Sequence, residues 1–283
     1  MSISFVPKFC FVLMSIAALI SCGGGGGNSG TPNTKTAYFI DSAVAGLEYS
    51  SGSTTGITGT DGSFKYEEGK PVTFKIGNMV LGSLTVTNSR VFPVDLVSGA
   101  TDETHPKVSL MAQILQTLDS DGDASNGITI TETARQAITQ AIEVATADPT
   151  QTSTAINQLL ATATQGRSTV LISQSSAENH LKANLIKEFQ GAWTGSYLGS
   201  SAGPCQANIS STGRLTGTCS SNGNGNTFSI SGQISSSGQS NIAGSAGTGS
   251  TFEGAFTRDG RVSGTWVNAN YSNFGGTWTM TKQ

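Results

Sequence analysis

Charge is scarce in this chain. Only 12% of its 283 residues are Asp, Glu, Lys or Arg, and 15 cations against 18 anions leave a net charge of −3. A nucleic-acid partner needs a clustered basic face, so that class is excluded. Histidine is scarcer still, with His105 and His180 alone. No metal-ligating His/Cys cluster, P-loop or dinucleotide fingerprint occurs. Long hydrophobic runs are missing too. The apolar stretch from Phe9 to Ile20 falls short of the roughly 20 residues that a spanning helix needs. What abounds is glycine, 36 residues, in a chain whose hydrophobic fraction of 36% still permits a core. That balance suits short strands and tight turns better than helical bundles, and the length suits two or three domains.

The N-terminus carries an address. One lysine, Lys8, precedes the apolar stretch, and small residues follow it, as in a cleaved signal. The junction Leu19-Ile20-Ser21-Cys22 resembles the lipobox of bacterial lipoproteins. The resemblance implies that residues 1–21 are removed and that Cys22 becomes the acylated first residue of the mature chain. An ordinary secretory signal with an incidental cysteine is the alternative. Acyl chains contribute about 0.8 kcal/mol per buried methylene, so several of them hold a protein at a membrane durably. The stretch GGGGGNSGTPNTK, to residue 35, has no large apolar group and reads as a tether spanning roughly 20 Å. Gly23 stands where an aspartate would resemble an inner-membrane retention signal, so the expected location is the outer membrane of a bacterial envelope, facing periplasm or cell surface.

With Cys10 lost and Cys22 lipidated, Cys205 and Cys219 remain. An even pair in an oxidising compartment suggests a disulfide, with free thiols as the alternative. Register favours the bond. Folding CQANISSTGRLTGTC at Ser211-Thr212-Gly213 sets Ile209 against Leu215, Ala207 against Gly217 and Cys205 against Cys219, all on one face.

The same alternation continues through residues 189–283. Trp193-Gly195-Tyr197, Ile230-Gly232-Ile234, Ile242-Gly244-Ala246, Phe252-Gly254-Phe256, Val262-Gly264-Trp266 and Phe274-Gly276-Trp278 place apolar residues and glycine at every second position. Polar residues fill the positions between, and turn signals recur at strand-length intervals. The pattern predicts eight antiparallel strands whose first and last pair, an eight-stranded up-and-down barrel or a closely related sandwich. Mid-strand glycines weaken strands, so they need a reason. Either they form a belt that allows tight coiling under large aromatics, or they leave a cavity for a small apolar ligand, with Trp193, Trp266 and Trp278 at its mouth. The GxW of the first strand loosely resembles lipocalins and avidin-like barrels.

After the tether, SFKYE and VTFKIG alternate well, with a turn at Asp61-Gly62. The segments DSAVAGLEY, GTDGSFKYEEGKPVTFKIG and the following LG resemble the transthyretin-like or carboxypeptidase-regulatory-like β-sandwich of bacterial surface and adhesin-type proteins. LQTLDSDGDASNGI is similar to a segment that follows such a domain in uncharacterised exported lipoproteins. The resemblance covers about residues 36–130, implies a stalk, spacer or binding unit, and assigns no catalytic residue. Helices are expected next. The first starts at Pro106 with Val108, Met111, Leu115 and Leu118 on one face. The second holds Ile130, Ala134, Ile138, Ala141 and Ala145, with Thr129 and Glu132 as a capping box. After an interruption at ADPTQTST, Ile156, Leu159, Leu160 and Ala163 mark a third. Ser175 and Glu178 cap a fourth, with Leu181, Leu185 and Phe189 inward. Residues 36–188 are therefore read as an α+β unit, making the whole mainly β with a helical section.

Asp119, Asp121 and Asp123 have the 1-3-5 spacing of an EF-hand-like loop, and Asn126 and Ser125 add oxygen ligands for calcium. The register then fails. Position six is Ala124 instead of glycine, and position twelve is Ile130 instead of glutamate. A structural Ca2+ that stiffens the helix junction and a solvated turn both remain open. No other cofactor is expected.

No catalytic residue is assigned. His105 before Pro106 and His180 beside Leu181 suit structural or solvated roles better than a general base. Gly199-Ser200-Ser201-Ala202-Gly203 matches the G-x-S-x-G of serine hydrolases, but it joins two strands of a hairpin, not the strand-to-helix elbow that the motif needs. The expected function is therefore non-catalytic: a tethered adhesin-like or spacer module contacting a macromolecular partner, or a carrier of a small apolar ligand in the barrel.

Overall fold

The computed structural model describes residues 33–244 and 248–283. The signal, Cys22 and most of the tether lie outside the described residues. No helix among those described is long and apolar enough to cross a membrane.

The N-terminal strands are β1 (Thr34–Phe39), β2 (Val44–Ala45), β3 (Glu48–Ser51), β4 (Thr54–Ile57), β5 (Ser63–Glu67), β6 (Pro71–Ile76), β7 (Met79–Thr85) and β8 (Arg90–Val91). They form a three-stranded sheet, β5-β1-β8, and a four-stranded sheet, β4-β3-β6-β7. Period-two alternation turns Ala37 and Phe39 of β1 and Phe64 of β5 to one face, and Val72, Phe74 and Ile76 of β6 to the other. These faces meet. Phe74 stands edge-on to Phe39 at 4.8 Å and to Phe64 at 4.9 Å, so the two sheets make a sandwich. Thr34 and Lys35 pair with Glu67 and Tyr66, so they are sheet residues and not the end of the tether.

Helix α1 (Pro106–Leu118) starts where expected, with Pro106 at its first turn and the His105 ring accepting the Lys107 N–H. Its expected apolar face is buried, and so are Leu110, Ala112 and Ile114 on other faces. It is the central helix of this body. The strand β9 (Ile128–Thr129) then pairs in parallel with β2.

The second helix differs from expectation. It is one short element, α2 (Glu132–Ala137), and its cap is Thr131, not Thr129, which lies in β9. Glu132 instead holds Arg135 and Gln136. Beyond Ile138 the chain runs beside β7: Val80 N–H donates to Ile142 O, and Val144 and Ala145 donate back to Val80 and Leu81. An open sheet edge needs hydrogen-bond partners, and that requirement outweighs the helical pattern through Ala145. The supposed interruption is itself a start, since Asp148 and Pro149 cap α3 (Pro149–Ala163). Helix α4 (Gln174–Lys187) is capped by Ser173, two residues before the expected Ser175.

The C-terminal strands β10 (Gly191–Gly199), β11 (Gly203–Ile209), β12 (Arg214–Ser220), β13 (Thr227–Ile234), β14 (Gln239–Gly244), β15 (Ser250–Thr257), β16 (Arg261–Asn268) and β17 (Gly275–Lys282) form a closed antiparallel barrel. Strands β10 and β17 pair from Trp193↔Lys282 to Gly199↔Gly276. Ala246, expected to extend β14, lies outside the described residues. Cys205↔Cys219, Ala207↔Gly217 and Ile209↔Leu215 pair in the expected register, and the two cysteines are bonded, with Cα atoms 4.1 Å apart.

The interior is full. Trp193, Tyr197, Phe252, Phe256, Trp266 and Trp278 are all buried in one cluster. Two glycines show how they fit. A Cβ on Gly264 would stand 1.9 Å from Glu253 O and 2.6 Å from the Trp278 indole nitrogen, and one on Gly276 would stand 1.8 Å from Leu198 O. Gly264 pairs with Trp278 and makes room for its indole, while Gly276, paired with Trp266, lets β17 approach the backbone of β10. The belt serves coiling and packing.

The disulfide closes a short hairpin inside an already complete core. Replacing Cys205 and Cys219 by Ala is expected to leave the barrel folded and to lower its unfolding free energy by about 3 kcal/mol, read by denaturant titration against the oxidised wild type.

Candidate functional site

The two ends of the barrel differ in chemistry. At one end, the β15–β16 turn presents Arg258, whose guanidinium grips both Asp95 carboxylate oxygens, one at 3.0 Å, and lies 5.0 Å over the Phe92 ring. Such a forked pair fixes direction as well as distance. Lys282 Nζ donates to Glu188 O at 2.7 Å, and Phe189, just beyond α4, enters the barrel core against Phe256. This end is seated on the sandwich body.

The opposite end is open. Hairpins β10–β11, β12–β13, β14–β15 and β16–β17 surround a cavity of about 740 Å³. Tyr197, Phe228, Phe252, Trp266, Tyr271 and Phe274 wall it, and the other eight lining residues are Ser, Thr or Asn. Among the described residues, aliphatic and charged side chains are missing from that lining. Tyr197 meets Trp266 at 5.5 Å, Trp266 meets Phe274 at 5.7 Å, and Tyr271 stands 5.9 Å from Phe274. The Trp266 indole N–H is committed to Leu198 O at 2.9 Å, and its ring is buried against Tyr197, Phe252 and Phe274. On the rim, Asn268 donates to Thr248 O and Ser250 Oγ, while no hydrogen bond among the described residues uses the Asn226 side chain. Five large apolar side chains are exposed among the described residues, and Leu198, Val267 and Tyr271, three of them, belong to this end. Clustered exposure of this kind marks a contact surface more than scattered exposure does.

Of the three tryptophans singled out in the sequence, only Trp266 reaches the cavity. Trp193 is tied to Phe189 O and Trp278 to Glu253 O, both at 2.9 Å and both buried. Sequence reasoning missed Tyr197, Phe228, Tyr271, Phe274 and the rim asparagines. The available signal is hairpin parity: in a meander every second turn faces the same end, and SSNGNGN and NANYSN are both such turns.

The aspartate loop is folded onto itself. Asp119 Oδ1 accepts the Thr129 N–H at 2.8 Å, Asp121 accepts the Asp123 N–H and the Asn126 amide, and Asp123 accepts the Ser125 N–H and hydroxyl. Asn126 thus offers its NH2, not the oxygen that calcium requires. Among the described residues, no three Asp, Glu, His or Cys side chains gather as a metal site. Burial, with the neighbouring Asp121, pushes the Asp119 carboxyl above its usual range, while the Asn126 amide and the Asp123 N–H hold Asp121 down at about 2.

A second polar cluster ties the β1–β2 loop to α4. Asp41 is fully buried, its Oδ2 accepting from Gln116 at 2.8 Å and its Oδ1 without a hydrogen-bond partner. His180 Nε2 lies 3.1 Å from Ser42 Oγ and 3.7 Å from Asp41 Oδ1. The residue types match a Ser–His–acid relay, but such a relay needs serine and acid on different ring nitrogens, and here both meet Nε2. Burial pushes Asp41 up to about 7 and His180 below its usual range, so each is shifted away from the charge that an ion pair would need.

Comparison with protein-family models gave no match, and no curated protein matched the sequence.

Two measurements follow from these clusters. Since the loop carboxylates already bond within the loop, calcium or EDTA is expected to leave the thermal midpoint unchanged; a rise of several degrees with calcium would show a coordinating loop. For Asp41, the unfolded chain ionises near 3.8 and the folded one near 7. Stability should therefore be full below about pH 4 and fall as pH rises to about 7. Asp41→Asn, compared with wild type by denaturant unfolding across that range, should remove this fall and be the more stable protein at pH 8.

Proposed function

We propose that the chain is a lipid-anchored bacterial envelope protein, held at the outer membrane through Cys22, whose work is non-catalytic contact with a partner. In this reading the sandwich and its helices, with their resemblance to the transthyretin-like or carboxypeptidase-regulatory-like domains of adhesin-type proteins, are the support, and the barrel's open end is the contacting surface. The observation that carries the reading is the difference between the two barrel ends. Arg258, Phe189 and Lys282 commit one end to the body, while the other presents aromatic rings and exposed Leu198, Val267 and Tyr271. The barrel core also bears on the alternative. A carrier of an apolar ligand needs space between its strands, and Trp193, Phe256 and Trp278 fill that space at ring separations of 4.9 and 6.0 Å.

The anchor is tested by mass spectrometry of the mature N-terminus in the native host. Acylated Cys22 is expected there, and Cys22→Ala should take up no fatty-acid label. An unacylated mature chain in the culture medium would overturn the proposal.

A further inference from the structure

Resting on the reading of the open end as the contact surface, we infer that its cavity binds an uncharged carbohydrate. Among the described residues its lining divides into six aromatic residues and eight bearing a hydroxyl or amide, with nothing aliphatic and nothing charged. Each half of that division excludes something. A fatty acyl chain would strip water from the hydroxyls and amides without giving them partners, a penalty for every group buried. A phosphate, sulfate or carboxylate would find no cation in the lining.

A sugar ring matches both halves. Its axial C–H groups form an apolar face with slight positive character, which settles on the electron-rich face of an aromatic ring. Its equatorial hydroxyls both donate and accept, and so do the Asn226 amide, which no hydrogen bond among the described residues uses, and the serine and threonine hydroxyls in the lining, while the Asn268 amide is held by Thr248, Ser250 and the Asn270 N–H. The placement of the rings suits this. Trp266, Tyr197 and Phe252 form a fixed floor, held by contacts of 5.5 and 6.2 Å to Trp266. Tyr271, 65% exposed above Phe274, supplies an open ring at the rim. The volume of about 740 Å³ lies within the span usual for small-molecule sites. Hydroxyl recognition by neutral groups also predicts an affinity that salt does not screen.

The test uses the full-length lipoprotein in detergent micelles against a panel of neutral oligosaccharides, their sialylated and sulfated counterparts, a fluorescent fatty acid and deglycosylated surface proteins. Neutral glycans are expected to bind with no dependence on salt, and acidic decoration should not improve them. Tyr271→Ala should weaken binding about tenfold, and Asn226→Ala should weaken it too. Both residues are exposed, so melting curves should match wild type, and Val170→Ser on the sandwich body should bind normally. Binding confined to the fatty acid or to deglycosylated proteins, with the same loss in Tyr271→Ala, would overturn the carbohydrate assignment and leave the contact reading standing. Glycan binding indifferent to both rim variants would overturn the site. If no probe binds in a Tyr271-dependent way, the inference and the contact reading fall together.

Discussion

Closure of the barrel depends on setting glycine opposite bulk. Eight short strands curve tightly only where neighbouring backbones can approach, and the space inside such a barrel is just wide enough for side chains. Gly264 beside Trp278 and Gly232 beside Ile242 meet both needs at once, and Gly276 lets β17 approach β10. Glycine lowers local strand stability, and the indole that occupies its vacancy returns more through buried area. Since this arrangement fills the middle of the barrel, the open volume lies between the strand ends and the turns above them. The position of the cavity at the strand ends therefore follows from how the strands pack.

The seated end obeys a different rule. Asp95 accepts the Phe92 N–H at 2.8 Å as well as the Arg258 fork, so the carboxylate is held from its own element and from the barrel. An ion pair at such a half-buried junction contributes little net stability, because desolvation offsets much of its attraction. Its effect is geometric. With Phe189, just past α4, packed in the barrel core against Phe256, the barrel is held at a second point and turning about the connecting chain is resisted.

Much of the barrel was legible in the sequence because a strand reports its inner face at every second residue. The Cys205–Cys219 register followed from that period and one turn signal. Helices were less legible where backbone demand came from outside the segment, as at Ile142–Ala145, which satisfy the edge of β7. Caps slipped by two residues, Thr131 for Thr129 and Ser173 for Ser175, since Ser and Thr abound in both stretches. Of the three tryptophans read at the mouth only Trp266 lines the cavity, because periodicity separates inside from outside but not one end of a strand from the other. Trp193, Trp266 and Trp278 are alike in period and different in height. Spacing placed the three aspartates together, while the hydrogen bonds that turn each carboxylate toward its own loop are a matter of local backbone.

The connectivity of the barrel has a consequence for how the protein can change. Every turn at its open mouth joins strands that are already neighbours, so lengthening or exchanging one turn disturbs no crossing chain and no partner strand. Stretches such as 221–226 and 269–273 meet the other turns through a few bonds, Asn222 N–H to Ala202 O, Ala269 N–H to Gly249 O and the Ser200 hydroxyl to Asn273 O, while the strand order beneath them does not depend on them. A lineage could reshape the mouth by trading turns, with the frame and its attachment to the body inherited intact.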